Sequence, residues 1–189
     1  LHHIETSPSR TIFLTGASSG IGAAIARILV AHGHQVFATA RREEALEQVA
    51  QEAMAGATGN GRILTGVMDV LDPGAQQKAV ARCVAEFGKL DVVIPNAGLG
   101  IFSPLDQAEL DDWMTMVDVN VKGVLITLHV SLPHLIEHQG LVINMGSVAS
   151  RNVFPNSGVY CATEHAVLAL GEAIRQDLKE KVATTTICP

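Results

Sequence analysis

Short apolar runs alternate with stretches of helical period along almost the whole chain. Thr11–Thr15, Gln35–Ala40, Ile63–Met68, Asp91–Pro95, Leu141–Asn144 and Val182–Ile187 read as strands. Between them Ile21–His32, Glu43–Ala55, Gly74–Phe87, Leu110 to about Ile136, and Val159–Lys179 read as helices. Gly33 and Gly88 stop two of these helices, as glycine does after a last helical turn. Strands that are apolar on both faces and alternate with helices predict a parallel sheet covered on both sides. The fold class expected is α/β, a doubly wound Rossmann-type parallel sheet. No repeat or internal boundary interrupts the pattern. Residues 1–10, with His2 and His3, read as an N-terminal tail, and 11–189 as one domain.

Composition narrows the function classes. The chain has 189 residues, enough for one full core and too few for two. Its net charge of -6 disfavours a nucleic-acid partner, which needs clustered Lys and Arg. Apolar runs are short and broken, so no membrane span is expected. Cys83, Cys161 and Cys188 are far apart and without a CxxC, which reads as reduced thiols in a cytoplasmic protein. His134 and His138 share a helix face but have no evident third ligand, and no metal site is assigned.

Chemistry enters at the first strand–helix turn. Thr15-Gly16-Ala17-Ser18-Ser19-Gly20-Ile21-Gly22 is glycine-rich where β turns into α. Gly16 permits the tight bend, Gly20 lets backbone N–H groups approach a phosphate, and Gly22 allows close helix–strand packing. The helix N-terminus offers free N–H donors and a positive dipole end to a pyrophosphate. Ser18, Ser19 and Ile21 belong to the same cradle. About 20 residues on, an acid would bind the adenosine ribose of NAD, but this chain has Arg41-Arg42. A guanidinium pairs with phosphate, which points to NADP(H) in preference to NAD(H). The plainer alternative is that Arg41 and Arg42 solvate the start of the second helix.

Taken together, these residues resemble the classical branch of the short-chain dehydrogenase/reductase family from about Thr11 to Pro189. Thr15–Gly22 is similar to the family's TGxxxGxG turn. The resemblance implies that Asp69, with Val70 beside it, meets the adenine ring. It implies that Asn96-Ala97-Gly98 lines the cofactor, with Pro95 standing for the commoner first Asn. It implies catalytic positions at Asn120, Ser147 and Tyr160, with Glu164 in the place of the lysine. The activity implied is hydride transfer between NADP(H) and a small-molecule carbonyl or alcohol. Ser147 would hold the substrate oxygen, Tyr160 exchange its proton, and Asn120 position a water. A homodimer or homotetramer, paired through the long helices, is also implied. So are a Pro-Gly segment, a substrate lid and a last strand beyond Pro189, which this sequence lacks.

Glu164 departs from that pattern at its most consequential position. Tyrosine has a pKa of about 10, too high for a base at neutral pH without a neighbouring cation. Glu164 lies four residues after Tyr160, on the same helix face. Two unit charges about 4 Å apart interact by roughly 4 kcal/mol at an effective dielectric of 20. The reversed sign is therefore expected to raise the tyrosine pKa and to impair turnover while leaving cofactor binding intact. His165, one helical position round, is not expected to take over. The alternatives are a solvated, inert Glu164, or a non-catalytic nucleotide-binding or scaffold protein on the same fold.

Overall fold

Six strands pair in parallel in a single sheet: β1 (Thr11–Thr15), β2 (Gln35–Ala40), β3 (Arg62–Val67), β4 (Val92–Ile94), β5 (Leu141–Met145) and β6 (Ala183–Ile187). Their order is β3-β2-β1-β4-β5-β6. The computed structural model describes residues 8–189, so His2, His3 and most of the expected tail lie outside the described residues. The doubly wound α/β architecture read from the alternation is the one found.

Period-two alternation in β1 divides the core. Ile12 and Leu14 point to one face and Phe13 to the other. On the first face α1 (Gly20–Ala31) and α2 (Glu43–Ala55) bury Ala26, Val30, Leu46 and Val49 against Val36 and Ala38. On the second, α3 (Pro73–Phe87), α5 (Gly123–Glu137) and α6 (Gly158–Asp177) bury Val80, Leu128, Leu135 and Val167 against Phe13, Val93 and Val142. Phe13 and Phe37 stack there at 5.9 Å. The α1/α2 layer does not reach β6, whose Thr185 and Ile187 are exposed.

The periodicity predicts one unbroken helix from Leu110 to about Ile136. Instead α4 (Leu110–Val117) passes through a π-turn at Asp118–Lys122 before α5 begins. A π-turn adds one residue to a helical turn, leaves backbone groups off the i→i−4 ladder and recurs at functional sites. Buried Gln76 braces this region. Its side-chain N–H groups donate to Val70 O at 2.7 Å and Gly123 O at 3.3 Å. Its Oε1 accepts from the Thr127 hydroxyl at 2.8 Å. The carboxamide thus ties the loop after β3 to the start of α5.

Taken as one helical run, Leu110–Glu137 is 28 residues long and meets the length and composition of a membrane-crossing helix. A core helix of a globular protein shares that length and composition. Its apolar residues have a use in the fold, since Met116, Val124, Leu128 and Leu135 are buried. Val148–Ser150 forms a short 3₁₀ turn that the sequence pattern does not signal.

Replacing Gln76 with Ala takes the side-chain donor from the Val70 carbonyl and opens a void in the core, while the Thr127 hydroxyl and Gly123 O keep each other at 2.9 Å. Gln76→Ala is expected to cost about 2–3 kcal/mol, read as a lower urea midpoint at unchanged slope.

Candidate active site

A cavity of about 620 Å³ opens along the carboxyl ends of β1 to β5. It lies across β1 and β4, where the strand order reverses, which is where open α/β sheets take ligands. Its floor is made by two loops locked together. Gly16 has φ +68°, and a Cβ there would meet Ala97 Cα at 2.7 Å. A Cβ on Gly22 would lie 2.3 Å from Gly16 O, inside contact distance. Asn96 donates from its amide to Thr15 O at 2.9 Å and Gly16 O at 3.2 Å. The Thr15 hydroxyl oxygen accepts from Asn96 N and Ala97 N. The glycine turn and the Asn96-Ala97 loop therefore hold one another at backbone contact.

Ser18, Ser19, Gly20, Ile21, Arg41, Arg42, Asp69, Val70 and Gly98 complete the cavity wall with Gly16, Gly22, Asn96 and Ala97. Ser19 caps α1 without a side-chain hydrogen bond, so the first-turn N–H groups remain available to a ligand. Gly20 has φ +55°, and a Cβ there would meet nothing within 4 Å. Arg42 reaches back from β2 and donates to the Ser18 hydroxyl at 3.3 Å. Asp69 Oδ1 is held by Leu71 N at 2.9 Å.

At the other end stand Asn120, Tyr160 and Glu164. Asn120 sits in the π-turn, buried, with every polar atom engaged. Its Oδ1 accepts from Leu99 N at 2.9 Å, and its Nδ2 donates to Leu99 O at 2.8 Å and to Thr163 Oγ1 at 3.1 Å. Thr163 donates to Tyr160 O at 2.7 Å, so Asn120 braces the helix turn that carries the tyrosine. Ser147 stands just outside the cavity lining, although neighbouring Gly146 and Met145 are in it. Its hydroxyl oxygen accepts from Ala149 N at 3.2 Å, and its own N–H donates to the Ser150 hydroxyl at 3.0 Å. Phe102, 61% exposed, meets the Tyr160 ring edge-on at 5.4 Å. Phe102, Leu99 and Met145 are wall residues that no motif signalled.

Glu164 is 7% exposed, which removes the alternative of a solvated helix residue. Its Oε2 has no hydrogen-bond partner. Burial pushes its carboxyl up to about 7, with the Ser150 hydroxyl opposing. Tyr160 is raised above its ordinary value, first by burial. The Glu164 charge and Cys161 add to that, and Ser147 acts against it. His165 is exposed, with Nδ1 on Cys161 O at 2.8 Å, and faces away from the site. Cys83, Cys161 and Cys188 are free thiols. Among the described residues, no three His, Cys, Asp or Glu gather as a metal site.

Comparison with known proteins follows the same lines. The family model described as short chain dehydrogenase matches residues 10–189. Serine 3-dehydrogenase of Agrobacterium fabrum is 39% identical over 184 residues, covering 96% of this chain and 71% of the relative. An alcohol dehydrogenase from the archaeon Thermococcus sibiricus, solved with 5-hydroxy-NADP, superposes with a TM-score of 0.89 at 31% identity. That match covers 96% of this chain and 76% of the archaeal one. Carveol dehydrogenase from Mycobacterium avium, solved with NAD, gives 0.86 at 28% identity, covering 95% and 70%.

A carboxyl raised to about 7 in the folded state binds its proton more tightly there than in the unfolded chain. Stability is therefore lost as pH rises from the ordinary carboxylate range through about 7. Glu164→Gln removes that loss. It is expected to be more stable than the parent by about 2 kcal/mol at pH 8.5 and equal to it near pH 4, read by urea denaturation at both pH values.

Proposed function

The chain belongs to the short-chain dehydrogenase family, and from that premise we propose that it is an NADP(H)-dependent oxidoreductase interconverting a carbonyl and an alcohol. Oxidoreductase chemistry on alcohol or carbonyl groups goes with the family. The preference for NADP(H) is carried by one observation: Arg42 and Ser18 meet on the cavity rim at the end of β2. A guanidinium beside a hydroxyl matches the donors that a ribose 2′-phosphate needs, and no acid stands there for a free ribose hydroxyl.

The residues present fit a dinucleotide. Free N–H donors at α1 suit a pyrophosphate, and open space beside Gly20 admits it. Asp69 and Val70 suit an adenine edge. When bound, the nicotinamide supplies or takes up a hydride. Tyr160 exchanges a proton with the substrate oxygen, and Ser147 turns its hydroxyl to hold that oxygen. Asn120 fixes the α6 turn beneath them. Glu164 leaves the lysine's two tasks unfilled, phenolate activation and the grip on the nicotinamide ribose, so turnover is slow while binding persists. The exposed apolar positions Leu110, Met114, Val117 and Leu125 support pairing of two copies through the Leu110–Glu137 run.

Arg42→Ala is expected to weaken NADPH binding about 10- to 100-fold and leave NADH binding nearly unchanged, read by nicotinamide fluorescence titration. Equal losses for both cofactors would refute the phosphate assignment. Glu164→Lys is expected to raise alcohol oxidation with NADP at pH about 8.5 by at least about tenfold, because a cation stabilises the phenolate. NADPH binding without turnover on a carbonyl panel, in the parent and in Glu164→Lys alike, would instead assign a nucleotide-binding protein without catalysis.

A further inference from the structure

Glu164 is an acid that the fold around it satisfies only in part, through the Ser150 hydroxyl. It is 7% exposed, its Oε2 has no partner, and it lines the cavity one helical turn from Tyr160. A structural glutamate in a core is expected to be met by donors, because an unpaired buried polar atom is costly. The elements packed on α6 bring few charges. The preceding helix carries Asp111 and Asp112, the π-turn carries Asp118 paired with Lys122 at 3.7 Å, and Arg151 follows the 3₁₀ turn. Cys188 follows β6, and the cavity itself adds Asp69, Arg41 and Arg42. None of these contributes to the state of Glu164, whereas the Glu164 charge does act on Tyr160.

We propose that Glu164 is a proton switch for Tyr160: its buried carboxyl holds the phenol in the protonated form and refills it after each turnover, which confines the site to carbonyl reduction. The proposal rests on the oxidoreductase reading and assigns its direction. In reduction, a hydride from the reduced nicotinamide adds to the carbonyl carbon, and the carbon–oxygen π pair moves onto oxygen. The Tyr160 O–H bond breaks and its proton joins that oxygen. The phenolate left behind recovers the proton of the Glu164 carboxyl by way of water in the cavity that both side chains line, and the carboxylate regains a proton from solvent. A carboxyl titrating at about 7 gives its proton readily to the phenolate of a tyrosine raised above 10. Oxidation needs Tyr160 as a base, and an ionised Glu164 opposes the phenolate it would have to form. Glu164 thus acts through Tyr160, as a positioning residue for its proton.

Tyr160 is the chain's sole tyrosine, so tyrosinate absorbance titrates this one group. In the cofactor-free protein, Glu164→Gln is expected to lower the tyrosinate midpoint by roughly one unit or more, with circular dichroism confirming the fold at each pH. At neutral pH, infrared difference spectra should show a carboxyl band present at about pH 6, lost by about pH 8, and missing from Glu164→Gln. The parent's rate of NADPH-driven reduction is expected to fall about tenfold per pH unit above about 7, and that of Glu164→Gln to stay flat. An unshifted tyrosinate midpoint, a missing carboxyl band or a flat parent profile would each overturn the switch, even with NADPH binding and turnover intact. Loss of NADPH binding would strike the oxidoreductase reading alone, because the two titrations need no cofactor.

Discussion

The site depends on the contact between the turn after β1 and the loop after β4. Asn96 spends its amide protons on Thr15 O and Gly16 O, and Thr15 returns its hydroxyl oxygen to two N–H groups of the opposite loop. Two glycines make the approach possible, since a Cβ on Gly16 would overlap the Ala97 backbone across the gap and one on Gly22 would overlap Gly16 O and the Asn96 amide. With this contact in place, the start of α1 and the end of β4 face the same space. Without it, the cavity would have two walls free to part.

From that fixed floor the cavity grows two chemically different ends. The α1 end is made of backbone donors, small residues and two exposed arginines. The α6 end is made of side chains held by one another, with Asn120 tying the loop after β4 to the helix that carries Tyr160. The π-turn matters here because it turns Asn120 inward, out of the regular helical stripe. The Gln76 amide reaches Gly123 O, just past that turn, and Val70 O in the loop after β3. This packing detail between α3 and α5 lies on the same face of the sheet as the helix that carries the tyrosine.

The alternation of apolar runs was enough to read the sheet, its order of elements and most helix limits within a few residues. The glycine turn and Arg42 were legible because each carries a local signal at a strand end, whereas Asn96, Asn120 and Tyr160 came into view only through the family resemblance. The π-turn was not, because inserting one residue in a long helix barely alters its hydrophobic period. Nor was the role of Gln76, a polar residue whose partners lie 6, 47 and 51 positions away. Ser147 follows β5, but its hydroxyl faces Ala149 N, a rotamer that sequence does not encode. Glu164 was visible as a departure, while its burial, which decides what the departure means, needed three dimensions.

The two arginines on the cavity rim have a reach beyond hydrogen bonding. The protein as a whole carries a net charge of -6, so an anionic ligand is repelled by most of its surface at distances up to a Debye length. Arg41 and Arg42 reverse that sign at one end of the cavity only, and Glu164 lies at the other. A ligand with its densest negative charge at one end is therefore turned before it makes contact, charged end first toward β2. The cleft selects an orientation during diffusion, and added salt would blunt that selection before it disturbed any bond within the site.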